Sequence, residues 1–276
     1  MPSSSYRTTA KRAPPLRAIG RDDLAAIGLT PESLVGRILD LDHRVYAVES
    51  HGHIGTVEQW APLFDENPDT WRALIAEDGT LVAYWQIAGL TRERFELAKV
   101  GRLHPPDLTS VDYEALRKPG VYDVYFASIC IAPEWRDLAT RWLLIDSFFC
   151  VAERLATRGV LFGEAAAIAH SNEGRRLCEV FGLSSQEGEA DHGECFAGDF
   201  SAILRSMRPA LTRRRPLLVA SYDANAARLV TGRPHASSPP ESLDPPNNPP
   251  NNPPTPAAVA TPPTLVAVEE SDWLGR

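Results

Sequence analysis

Cysteine is scarce in this sequence, long apolar runs are missing and basic residues are in the minority, and each shortage excludes a class of protein. The chain of 276 residues has 4 cysteines: Cys130, Cys150, Cys178 and Cys195. None are spaced as CxxC, and three lie in apolar runs, where a reduced thiol behaves as a small hydrophobe. A reducing, cytoplasmic compartment is therefore expected. No stretch of roughly 18 apolar residues is present to span a bilayer, and the N-terminus MPSSSYRTTAKRAPP lacks the apolar core of a secretory signal. The formal charge of -8 at pH 7 argues against nucleic acid as a partner, because binding phosphates calls for a basic surface.

Two kinds of catalytic machinery are also missing. His43, His51 and His53 have no cysteine or carboxylate cluster at a recognised metal-ligand spacing. The serines form no Gly-x-Ser-x-Gly elbow, so no nucleophilic triad is expected.

The overall composition is that of a globular protein, 43% hydrophobic and 23% charged. Proline is the local exception. Of the 24 prolines, half follow Arg233, where PPESLDPPNNPPNNPPTP cannot bury a core. Three segments are expected: a disordered leader over 1–15, one folded domain over 16–206 and a disordered proline-rich tail over 207–276, available to a protein partner.

Within the domain, residues 16–19 read as a short strand, followed by a brief helical turn begun by Asp22 or Asp23. Thr30-Pro31 starts a helix over 31–47, with Leu34, Ile38, Leu41 and Val45 on one face. Thr56 caps a second helix through Phe64. TWRALIAEDGTLVAYWQIAGL reads as a hairpin turning at Asp78-Gly79. Trp60, Trp71, Tyr84 and Trp85 recur at core-facing positions. The stretch 91–120, without a continuous strand, looks inserted.

VYDVYFASICIAP is strand-like and passes at Pro133 into a helix over 137–157. Arg158-Gly159 stops that helix, and GVLFGEAAAIA follows as a strand covered on both faces. Strand, crossover helix and strand define a parallel pair. SNEGRRLCEVFGL is a short helix ending at Gly182, and GECFAGDF adds a late strand. The fold class is α/β, a mixed central sheet flanked by helices.

The segment SICIAPEWRDLATRWLL carries a resemblance. An apolar strand end, then x-Pro-x-x-Arg, then a loop opening a long helix is similar to the acyl-CoA-binding motif of the GNAT-type N-acetyltransferases. SNEGRRLCEVFGL resembles that family's next motif. The resemblance implies an acetyl group moved from acetyl-CoA, as co-substrate, to an amine of a small-molecule or protein acceptor. It implies that Ile129 and Ile131 pair with the pantetheine arm and that Arg136, Leu138, Ala139, Thr140 and Arg141 surround the diphosphate at a helix N-terminus. Asn172 or Ser171 takes the turn position of the second motif.

The motif has departures. Alanine and arginine replace the small residues at 139 and 141, so Arg141 either crowds the loop or adds a contact to phosphate. Cys178 stands where relatives carry a tyrosine that protonates the leaving thiolate; it is either that acid or core packing. Ala127 stands where relatives often carry a catalytic glutamate. Glu164, a carboxylate within an apolar strand, is the substitute as general base, or else the member of a structural ion pair or simply exposed at a strand end. Asp123 and Tyr125 are weaker candidates. The departures keep a second function open, a degenerate GNAT-like module that binds acyl-CoA or a protein partner without turnover.

Overall fold

The computed structural model describes residues 15–46, 55–103, 108–188 and 193–231. The expectations of a disordered leader and of a disordered tail beyond Thr231 lie outside the described residues, as do His51 and His53.

Among the described residues seven strands form one mixed sheet in the order β1-β2-β3-β4-β5-β7-β6. They are β1 (Leu16–Ile19), β2 (Trp71–Ala76), β3 (Leu81–Gly89), β4 (Gly120–Ile131), β5 (Val160–Ala169), β6 (Ser184–Gln186) and β7 (Glu194–Asp199). All pairs are antiparallel except β4 and β5. β3 is buried along its whole length, as its run of β-branched and aromatic residues requires of a central strand. The β2–β3 hairpin turns where expected, with Gly79 at φ 83°. Its loop has four residues, 77–80, because the Ala76 N–H donates to Thr80 O and the Gly79 N–H to Ala76 O.

One face of the sheet is covered by α1 (Pro31–Val45), α2 (Val57–Glu66) and α3 (Arg92–Lys99). Thr30 accepts from the Ser33 N–H and Pro31 fills the first helical position, so α1 begins as its sequence dictates. The stretch 91–120 is not plain decoration, for α3 lies in it and buries Phe95 and Ala98 against the sheet.

The opposite face carries α4 (Leu138–Thr157), α5 (Asn172–Val180), α6 (Phe200–Ser206), α7 (Arg208–Arg214) and α8 (Pro216–Ala224); α9 (Ala226–Thr231) follows. Here the expected boundary at Ser206 needs correction. Leu211, Leu218, Val219 and Tyr222 are buried in the same core as α4 and β5. Pro209 and Pro216 occupy first-turn positions, where a missing N–H costs nothing, so they start α7 and α8 instead of opposing them.

Candidate functional site

The site is set by a bulge in β4. Gln86 is opposite Ser128 and Ile87 is opposite Phe126, leaving Ala127 with no partner on β3. An extra residue of this kind bends its strand. On the other side, β4 follows β5 only as far as Phe126↔Ala167. β5 then continues beside β7 through Ile168 and Ala169, while Ala127–Ile131 runs on without it. Ala127, Ser128 and Ile129 are half-buried between the buried runs 124–126 and 130–131. The parallel pair thus splays open at its C-terminal end, the end where ligands of parallel sheets bind.

Strand alternation decides what the opening offers. The Ala132 N–H donates to Val82 O, so Ala132 and Cys130 direct their backbone groups toward β3, and Ile129 and Ile131 direct theirs into the opening. Both carbonyls there receive side-chain donors. The Tyr46 hydroxyl donates to Ile129 O at 3.3 Å and Arg136 Nε to Ile131 O at 3.3 Å. The two N–H groups face the gap as donors for an incoming carbonyl oxygen. Beside them lies a shallow crevice lined by Trp85, Phe126, Ile129, Leu144, Ile145, Phe148 and Phe181.

The other wall of the opening is polar. Tyr46 ends α1, and its ring meets His170, the exposed residue after β5, edge-on at 6.1 Å. Beneath Tyr46, Asp42 is buried and accepts from the Tyr84 hydroxyl at 2.7 and 2.6 Å. Cys130 also hydrogen-bonds Asp42. Burial raises the Asp42 carboxyl to about 6, against the lowering effect of its Tyr84 and Cys130 hydrogen bonds. Burial, reinforced by the charge of Asp42, pushes the Cys130 thiol up and holds the Tyr84 phenol neutral. Tyr46 is likewise kept protonated by burial.

Solved structures of GNAT acetyltransferases are similar to this chain. One is a GCN5-related N-acetyltransferase from Kribbella flavida, 17% identical over 62% of this chain and 33% of that one, with a TM-score of 0.37. This chain thus spans about a third of that protein. Another is a phosphinothricin acetyltransferase from Sinorhizobium meliloti in complex with AcCoA, 13% identical over 67% and 88% of the two chains, TM-score 0.38. A third is the loading GNATL domain of CurA from Lyngbya majuscula, 12% identical over 68% and 98%, TM-score 0.43. No protein-family model and no curated protein matches the chain. The reading of the site rests on its own geometry.

That geometry distributes the residues singled out from sequence unevenly. Ile129, Ile131 and Arg136 meet at the opening. Leu138 and Ala139 are exposed in the first turn of α4, and Thr140 is buried there. Arg141, in the same turn, is buried, 8% exposed. Asn172 is the first residue of α5, and Ser171 is the cap, accepting from the Gly174 N–H.

Glu164 and Cys178 are not brought together. Glu164 accepts from Lys99 Nζ at 2.9 Å and lies 3.5 Å from Arg92, facing α3. Its backbone N–H donates to Asp123, six residues before Ile129, which places it about 20 Å along the strand from the opening. Cys178 belongs to the core on the α4 face, where burial pushes its thiol up to about 12. Tyr125 is buried below α3's face of the sheet. His43 is exposed with Nδ1 on Leu39 O, and among the described residues no group of histidine, cysteine and carboxylate could hold a metal.

Sequence reasoning passed over Asp42, Tyr46 and His170. Two signals were available. Asp42 is four residues after Ile38, on the apolar face of α1, where an acid demands a buried partner. His170 directly follows a parallel strand.

Proposed function

We propose that the chain transfers an acyl group from a pantetheine thioester, such as acetyl-CoA, to an amine. The observation that carries this reading is the open edge of β4, which presents the Ile129 and Ile131 N–H groups to a gap between two parallel strands. An amide-bearing arm is bound there as an added strand is, by main chain. The thioester carbonyl, set against those N–H groups, is polarised where charge develops as the amine attacks.

Two side chains at the mouth serve the protons. The exposed His170 imidazole takes the proton of the attacking amine. The Tyr46 phenol, held protonated by burial, gives its proton to the departing thiolate. A C–N bond forms and the C–S bond breaks; one proton leaves the amine and one reaches the thiol, so the step balances. This assignment takes over the roles that sequence alone gave to Glu164 and Cys178.

The test is titration calorimetry with acetyl-CoA, then mass spectrometry of acetyl transfer to a panel of primary amines. Tyr46→Phe is expected to lower turnover about a hundredfold, within the usual range for a general acid, with donor affinity nearly unchanged. Full turnover in that variant would remove Tyr46 from the chemistry, and absence of thioester binding would remove the reading. A module that binds the thioester without turnover is the second reading. The absence of a carboxylate at Ala127 favours it, and it predicts binding with no transfer to any amine.

A further inference from the structure

In the resemblance, the N-terminus of the helix after the motif strand holds the cofactor's diphosphate. The start of α4 is built differently. Asp137 is the cap: its Oδ1 accepts from the Thr140 N–H at 2.9 Å and its Oδ2 from the Thr140 hydroxyl at 3.2 Å. The carboxylate therefore occupies a donor that a phosphate oxygen would need and sets a like charge at the helix end. Two cations flank this helix start. Arg141 is buried, Arg136 is folded back through Nε onto Ile131 O, and the preceding turn adds an exposed acid, Glu134. The β4 opening beside it has one apolar wall, along Trp85, Phe126 and Phe148, and backbone donors facing the gap, suited to an uncharged amide-bearing arm.

We infer that this site recognises its donor through the acyl-pantetheine arm alone, with the diphosphate position at the start of α4 closed by Asp137. The inference rests on the thioester reading above and narrows it: the ligand class is an acyl-pantetheine, and the nucleotide of CoA adds nothing to its binding.

The experiment compares S-acetyl-pantetheine with acetyl-CoA by titration calorimetry on the full chain and on Asp137→Asn, which keeps a capping acceptor and removes the charge. For the parent protein the two dissociation constants are expected within fivefold of each other. In Asp137→Asn, acetyl-CoA is expected to bind about fivefold tighter, the effect of one like charge removed at near contact in water, with acetyl-pantetheine unchanged. Thermal melting of both proteins checks that the cap survives. Acetyl-CoA binding more than fivefold tighter than acetyl-pantetheine in the parent overturns the inference and leaves the thioester reading standing. So does a variant in which acetyl-CoA affinity does not rise selectively. Failure of both donors to bind overturns the thioester reading itself, and the inference with it.

Discussion

Asp42 pairs a cost with a position. Its carboxyl, raised from 3.8 to about 6 by burial, binds its proton more tightly in the folded than in the unfolded chain. Stability from this group is therefore fullest below about pH 4 and is lost as pH rises toward 6, the reverse of a salt-bridged aspartate. The loss amounts to about 3 kcal/mol at neutral pH, at about 1.4 kcal/mol per unit. Urea denaturation at pH 4.5 and 7.5 is expected to show the parent losing more stability than Asp42→Asn across that interval; equal losses would mean that Asp42 titrates normally. Glu164 makes the contrasting case. Its contacts with Lys99 and Arg92 predict that Glu164→Gln costs about 1 kcal/mol in stability, a value reduced by the partial exposure of its partners. Turnover and donor affinity should not change, and a large loss of turnover without a loss of stability would return Glu164 to the catalytic site. From sequence, the ion pair and the general base were equally open. A carboxylate in an apolar strand signals a partner, but not that the partner comes from a helix inside the stretch 91–120.

At the scale of elements, the strands other than β6 and the long helices were legible because each carries its own period or stop signal. Thr30-Pro31 opens α1, and Gly159 at φ 79° ends α4. The bulge at Ala127 was not legible, since it is a matter of register between β3 and β4 and no residue type announces it. Nor was α8, whose apolar residues Leu218, Val219 and Tyr222 are too few to show a period. What α8 does is visible only in three dimensions. β7 ends opposite Glu164, so the outer edge of Phe162 has no strand of β7 beside it. The Tyr222 hydroxyl fills that place, accepting from the Phe162 N–H at 2.6 Å and donating to Phe162 O at 3.3 Å. Buried backbone groups left unpaired are costly. Tyr222→Phe is thus expected to lower unfolding stability by about 1–3 kcal/mol while leaving the β4 opening and donor affinity intact. Denaturant melts of the variant within error of the parent would show that water replaces the hydroxyl.

For the molecule as a whole, the two faces of the sheet do different work. The face under α1, α2 and α3 supplies the polar wall of the opening through Asp42 and Tyr46. The other face, under α4 to α8, holds β4 and β5 in place behind it. The C-terminal helices belong to that support. Glu153 on α4 accepts from the Leu217 and Leu218 N–H groups at 3.1 and 3.2 Å, capping α8 from across the core, and Arg215 pairs with Asp146 at 2.6 Å. Burying Leu218, Val219 and Tyr222 is worth about 1.5–3 kcal/mol apiece, which together approaches the whole stability of an ordinary domain, about 5–15 kcal/mol. A chain ending at Ser206 is therefore expected to unfold or aggregate, because the apolar face of α4 and the edge of β5 lose their cover. A chain ending at Thr231 is expected to melt within about 3 °C of the full chain, because the proline-rich run PPESLDPPNNPPNNPPTP that follows cannot bury a core. Thermal melts of the two truncations beside the full chain decide the matter. Should the chain ending at Ser206 melt like the parent, α8 would be a bystander and the boundary read from sequence would stand. Should the chain ending at Thr231 melt far below the parent, residues past 231 would be part of the folded domain.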